Sequence, residues 1–190
     1  MSLETAIMVI QSLVADGTIT RYGIAGAVAA TFYVEPMTTF DLDILVSVDA
    51  FQTRPGSRLL TLDPIRAALA KAGHSEFRSE GIVVAGWPVQ FLPAENPLHI
   101  EAIEQAVETP LAGGNSSIKP RVLRAEHIMA IALDVGRPKD KIRLIQFIEQ
   151  NAFDRAKLKQ ILDRYGLFDK WRNFCIQNGV TRKSDVELTL

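Results

Sequence analysis

The chain has 190 residues, 21 Lys+Arg against 22 Asp+Glu, 47% apolar and 23% charged residues, and a formal net charge of -1. A sequence this apolar, with 12 Gly and 9 Pro, builds a core, which excludes disorder, a collagen-like repeat and a low-complexity tail. Cys175 stands alone, and His74, His99 and His127 are scattered, so neither a disulfide nor a Cys/His metal cluster is expected.

From the first residue, Ser2 is placed to cap a helix whose Leu3, Ile7, Ile10 and Val14 share a face, and Gly17 sits where it would stop. That opening carries Glu4 and lacks a basic n-region, and no run approaches about 18 uninterrupted apolar residues. The expectation is a cytoplasmic protein with no signal peptide and no membrane partner. Tyr22-Gly23-Ile24-Ala25-Gly26 predicts a brief buried strand, and the apolar run Ala27 to Tyr33 a buried helix before Pro36. Asp41-Leu42-Asp43-Ile44-Leu45-Val46 predicts a strand that opens on two acids.

Asp49 to Thr61, with Pro55 and Gly56, predicts a loop. Asp63-Pro64 supplies an N-cap and a first-turn proline for a helix through Ala72, closed by Gly73. Gly81 to Ala85 and Pro88 to Leu92, flanking Gly86-Trp87, predict a hairpin. A helix over Pro97 to Val107 follows, then a turn at Gly113-Gly114-Asn115. After Pro120 the texture is helical: Arg121 to Val135, Pro138 to Asn151, Asp154 to Tyr165 and Leu167 to Gln177, with a frayed polar end from Thr181. Strands alternating with helices and then helices alone predict an α+β fold: a mixed sheet domain over residues 1–117 and a helical C-terminal region over 118–190.

The charge is divided along the same line. Residues 1–110 sum to -7 and residues 111–190 to +6, an acidic part followed by a basic one that can face polyanions. Arg137, Lys139, Lys141 and Arg143 suit a phosphate patch, although without interleaved aromatics a solvated helix face accounts for them as well. His127 is read as a surface or core-edge helix residue, and Trp171 with Phe168 and Phe174 as core.

The chemistry-bearing segment is Gly23 to Ala27 followed by Asp41-Leu42-Asp43. Acids two positions apart point to one face of a strand. At that range they repel, and a hard divalent cation with oxygen ligands relieves the repulsion while leaving positions for phosphate. Small residues upstream permit close backbone approach, and the helix predicted after Gly26 offers unpaired N–H groups to an anion. A lone D-x-D is common as two solvated acids at a strand edge. The order strand, small-residue turn, helix, acidic strand is what lends it weight.

On these residues the run Tyr22 to Ala27 with Thr39 to Val46 resembles the DNA polymerase β-like nucleotidyltransferase superfamily, in which a glycine-containing turn precedes a D-x-D strand. Arg124 to Ile128 through Gly136 to Asp140 resembles a later motif of its toxin-type branch, the nucleotidyltransferase-like proteins of type IV toxin–antitoxin and abortive infection systems. The resemblance spans roughly residues 20–175. It implies that Asp41 and Asp43 are catalytic and hold Mg²⁺ or Mn²⁺, with Gln90 at the third metal position. It also implies that Ala25, Gly26, Thr39, Lys139 and Asp140 bind the nucleotide. The implied reaction is attack of an acceptor hydroxyl on the α-phosphate of an NTP with departure of pyrophosphate. An RNA, a protein or a small molecule would be the acceptor, and a cognate antitoxin protein a partner.

The chain departs from the pattern in instructive places. Where the superfamily carries a third carboxylate on a later strand, Val89-Gln90-Phe91-Leu92 offers Gln90, whose neutral amide neither takes a proton nor neutralises a cation. The toxin branch has two glycines at Ala25-Gly26, an arginine at Met37, a lysine near Ala132 and an acid at Arg143. A catalytically degenerate module that binds a nucleotide or a partner protein is therefore the alternative to an active enzyme.

Overall fold

Ser2 caps the first helix as its sequence predicts, accepting the Thr5 backbone N–H at 3.2 Å, in a computed structural model that describes residues 2–53, 60–111 and 118–189. The chain forms two units, Met1–Ala29 with Met37–Leu123, and Ala30–Pro36 with Arg124–Leu190. In the first, helix α1 (Leu3–Ala15) buries Ala6, Ile7, Ile10 and Leu13 and packs on a sheet strand described below. Strand β1 (Tyr22–Ile24) is fully buried. Helix α2 spans only Gly26–Ala30, five residues against the seven of the apolar run. Tyr33 bonds back to Ala30 as a turn, since Thr31, Phe32 and Tyr33 are weak helix formers.

Strand β2 (Leu42–Val46) returns antiparallel to β1, with Gly23 opposite Leu45. The segment after it holds a 3₁₀ turn, Val48–Phe51, and a bridge from Gln52 to Leu60; Pro55 and Gly56 lie outside the described residues, as do Gly113-Gly114-Asn115. Helix α3 (Asp63–Lys71) begins one residue earlier than expected, because Leu62 takes the cap position and Thr61 Oγ1 accepts the Asp63 N–H at 3.2 Å. Strand β3 (Phe77–Arg78), exposed and two residues long, was not foreseen.

Strands β4 (Gly81–Val84) and β5 (Trp87–Pro93) form the expected hairpin, with the turn at Ala85-Gly86 rather than Gly86-Trp87. Both turn residues have positive φ, 49° and 87°, as a type I′ turn requires. An alanine there costs about 1 kcal/mol in left-handed backbone, so Ala85→Asn should raise the denaturation midpoint by about that much stability. Trp87 is thus the first residue of β5 and half-buried.

Helix α4 (Pro97–Glu104), capped by Asn96 through a 2.8 Å bond from the His99 N–H, ends before strand β6 (Val107–Glu108). Strand β7 (Arg121–Val122) replaces the first turn of the helix expected from Arg121. It pairs parallel with β1 and antiparallel with β6. The result is a seven-stranded mixed sheet in the order β3-β4-β5-β2-β1-β7-β6, with α1 on β4 and α4 on β1 and β2. This is the mixed sheet with flanking helices of the expected α+β class, followed in the chain by helices.

The second unit is helical: α5 (Ala125–Val135), α6 (Pro138–Glu149), α7 (Arg155–Arg164), α8 (Phe168–Gln177) and α9 (Lys183–Val186). Helix α5 stops at left-handed Gly136 and packs on α6 and α7. Asp154 caps α7 by accepting the Lys157 N–H at 3.0 Å. Leu133, Leu144, Phe147, Leu158, Leu162 and Trp171 form the core, with Trp171 stacked on Phe174 at 5.8 Å. His127, expected at the surface or the core edge, is buried. Segment Ala30–Pro36 joins this unit through Tyr33 against Phe147 and a 2.8 Å bond from Gln146 to the Glu35 carbonyl. The end expected to fray is instead held by Asp185, which is buried. Burial, and then the charge of Asp185, push the Cys175 thiol up to about 12, so it is protonated and inert at neutral pH.

Candidate functional site

Strand β2 begins between the two acids, with Asp41 just before it and Asp43 its second residue, both half-buried on the face that Gln90 shares, while Leu42 and Ile44 enter the core. Strand β5 lies parallel beside it, and Gln90 is in register with Asp43. Register partners in a sheet point to the same face, so the amide joins the two carboxylates.

Asp41 is held from two sides. Thr39 Oγ1 donates to Asp41 Oδ1 at 2.9 Å, and Gln90 Nε2 donates to Asp41 Oδ2 at 3.3 Å. Thr39 also reaches the Asp41 carbonyl at 3.3 Å. The neighbouring Phe40 is 81% exposed.

Asp43 is held by backbone. Its carbonyl accepts the Ala25 N–H at 2.9 Å, which brings the turn after β1 across the acidic end of β2. Gly26 then adopts φ +62°, and a Cβ there would overlap Asp43 Oδ2 and stand 2.9 Å from its Cγ. Only glycine combines that backbone with that closeness. Gly23 is similarly closed by Leu123, which fixes the strand leading into the turn.

Ala25, Gly26, Thr39, Asp41, Asp43 and Gln90 are thus all in the first unit, gathered around the start of β2. Lys139 and Asp140 belong to the second. Lys139 is exposed on α6. Asp140 is buried, and its carboxylate accepts the Arg137 N–H at 3.2 Å, Arg137 Nε at 2.8 Å and Arg143 Nη1 at 3.2 Å. Those bonds close the N-terminal end of α6 and neutralise a buried arginine. Of the four basic residues considered as a patch, Arg143 is buried and Arg137 is paired with Asp140, which leaves Lys139 and Lys141 on the solvated face.

The donor set suits an oxygen-preferring divalent cation. Each oxygen of Asp41 spends one lone pair on a neutral donor and retains another, and Asp43 adds a second carboxylate on the same face. Among the described residues no group of three or more His, Cys, Asp or Glu side chains is arranged to hold a metal, so a cation here would have only these two aspartates as charged ligands. What the sequence did not disclose is the pair of bonds to Asp41: the Thr-x-Asp spacing was visible, but the Gln90 contact depends on the β2–β5 register.

Among the described residues no helix is long and apolar enough to cross a membrane. No protein-family model and no curated protein matches the chain. Among solved structures, the antibiotic-resistance factor ANT(2'')-Ia, determined in solution, is similar to it with a TM-score of 0.48 and 16% identity, over 87% of this chain and 94% of that one.

Proposed function

We propose that the protein is a nucleotidyltransferase-like enzyme that moves a nucleoside monophosphate from an NTP to a hydroxyl acceptor, an RNA, a protein or a small molecule. The observation that carries this reading is the close approach of the Gly26 backbone to Asp43, beside Asp41 on the same strand face. A solvated pair of acids needs no such glycine. A turn whose backbone packs directly on Asp43 fixes that carboxylate beside Asp41, as a site that must present paired carboxylates to a metal-bound triphosphate requires.

In the proposed reaction the acceptor oxygen forms a bond to the α-phosphorus, the bond from that phosphorus to the bridging oxygen breaks, and pyrophosphate leaves with the electron pair. Mg²⁺ or Mn²⁺, when bound, would supply charge neutralisation on the phosphate oxygens. Asp41 and Asp43 would hold it, Thr39 and Gln90 would fix Asp41, and Gly26 would let the phosphates approach. Gln90 takes no proton, so the acceptor proton passes to water. A toxin role with an antitoxin partner rests on the Arg124 to Asp140 stretch alone.

Gln90 also supports a second reading, a module that binds nucleotide without turnover. Incubating the protein with each of four α-labelled NTPs, Mg²⁺ or Mn²⁺, and total RNA or protein separates the two. Metal-dependent labelling that disappears in the Asp41→Ala/Asp43→Ala variant is the expected result. Triphosphate binding by calorimetry with background labelling throughout would instead establish the module.

A further inference from the structure

We propose that Gln90 is a positioning residue for Asp41: its amide serves the carboxylate rather than a cation or an acceptor hydroxyl, and together with Thr39 it fixes the direction in which Asp41 presents its remaining lone pairs. The inference deepens the proposed function, since it takes Asp41 as part of that site.

The chemistry of the contact sets its polarity. A carboxylate accepts hydrogen bonds and does not donate them, so the amide atom 3.3 Å from Asp41 Oδ2 is Nε2. The Thr39 hydroxyl donates for the same reason to Oδ1. Each oxygen of Asp41 therefore has its own neutral donor, one from the segment before β2 and one from β5. Two donors on separate elements hold the carboxylate plane, where a single one would let it turn.

That arrangement sets Gln90 against the role of a metal ligand. To ligate a cation resting on Asp41 Oδ2, the amide would turn over to present Oε1 and lose the bond it makes. With Nε2 forward, its partial positive charge faces the oxygen and the site carries two negative charges from Asp41 and Asp43. A carboxylate at position 90 would add a third and repel Asp41 unless a cation intervened. The substitution of a carboxylate by an amide thus exchanges cation affinity for a fixed Asp41.

The test begins without nucleotide. In ¹H–¹⁵N spectra the Gln90 side-chain amide should show one proton shifted downfield, and the shift should vanish in Asp41→Asn and persist on adding Mg²⁺. Mn²⁺ titration followed by electron paramagnetic resonance should show Gln90→Glu binding at least tenfold more tightly than wild type, and Gln90→Met within about threefold of it. If transfer is observed, Gln90→Met and Thr39→Val should each lower kcat by about tenfold with KM for the NTP unchanged. Thr39→Val tests the clamp independently should Gln90→Met fold poorly. An amide signal indifferent to Asp41→Asn but displaced by Mg²⁺, with Mn²⁺ affinity lost in Gln90→Met, would make Gln90 a ligand and overturn the proposal. Because these spectra need no turnover, absent labelling would sink the transferase reading while leaving this one intact.

Discussion

Asp43→Ala should take nucleotide transfer to background, and Gly26→Ala should remove about 99% of it with both aspartates still present. The second result follows from the turn. At φ +62° an alanine costs about 1–2 kcal/mol, and its methyl would occupy the space of Asp43 Oδ2, with Cγ at 2.9 Å and Cβ at 3.1 Å. Asp43 has to swing or the turn has to back away. Either movement displaces a carboxylate by roughly the 1 Å that costs a reaction about 10²-fold when geometry supplies the rate. Gly17→Ala provides the control: it too has positive φ, 80°, but nothing lies within 4 Å of its added Cβ. Gly17→Ala should lower stability by about 1–2 kcal/mol in urea denaturation and Gly26→Ala by at least as much, and only Gly26→Ala should impair labelling. Full transfer by Gly26→Ala would show that the approach of the turn to Asp43 has no part in the chemistry.

The same turn shows how much the sequence made legible. Period-two alternation was enough to put Asp41 and Asp43 on one face, and the small residues at Gly23 to Gly26 were enough to suggest close approach. The hairpin pattern located β5, and the family resemblance singled out Gln90 on it. The Gln90 bond to Asp41 was not legible, because it depends on which residue of β5 stands beside Asp43, a register fixed by packing of the whole sheet. Strands β3 and β7, two residues each, are too short for periodicity to register. Helix α2 was overestimated because burial of Val28, Ala29, Ala30 and Val34 makes an apolar run that hydrophobicity alone does not divide into helix and turn. Asp140 shows the reverse difficulty. The resemblance implies a nucleotide contact for it, whereas its carboxylate pairs with Arg137 and Arg143, each three residues away.

The C-terminal segment gives the largest expected change in stability. Residues from Thr181 are polar, and their composition predicts fraying, but Asp185 lies with its side chain 2% exposed against Arg155, which is 18% exposed. Arg155 donates to Asp185 Oδ1 through Nε at 2.9 Å and Nη2 at 2.6 Å, and the Trp171 indole N–H donates to the Asp185 carbonyl at 3.0 Å. A carboxylate this enclosed is tolerated only with such partners. Asp185→Ala leaves the Arg155 guanidinium largely enclosed without its counter-charge, a loss of about 3 kcal/mol, since Arg155 retains a path to water. For a chain of this length that lowers Tm by about 6–12 °C. Asp163→Ala breaks the exposed pair with Lys159 and should cost no more than about 0.5 kcal/mol. The double variant Asp185→Ala/Arg155→Ala should lose less than the two single losses together, because removing the arginine removes the uncompensated charge. Strict additivity in that cycle would mean that the buried pair does not anchor the segment, and that the Trp171 bond and apolar packing around Leu188 do so alone.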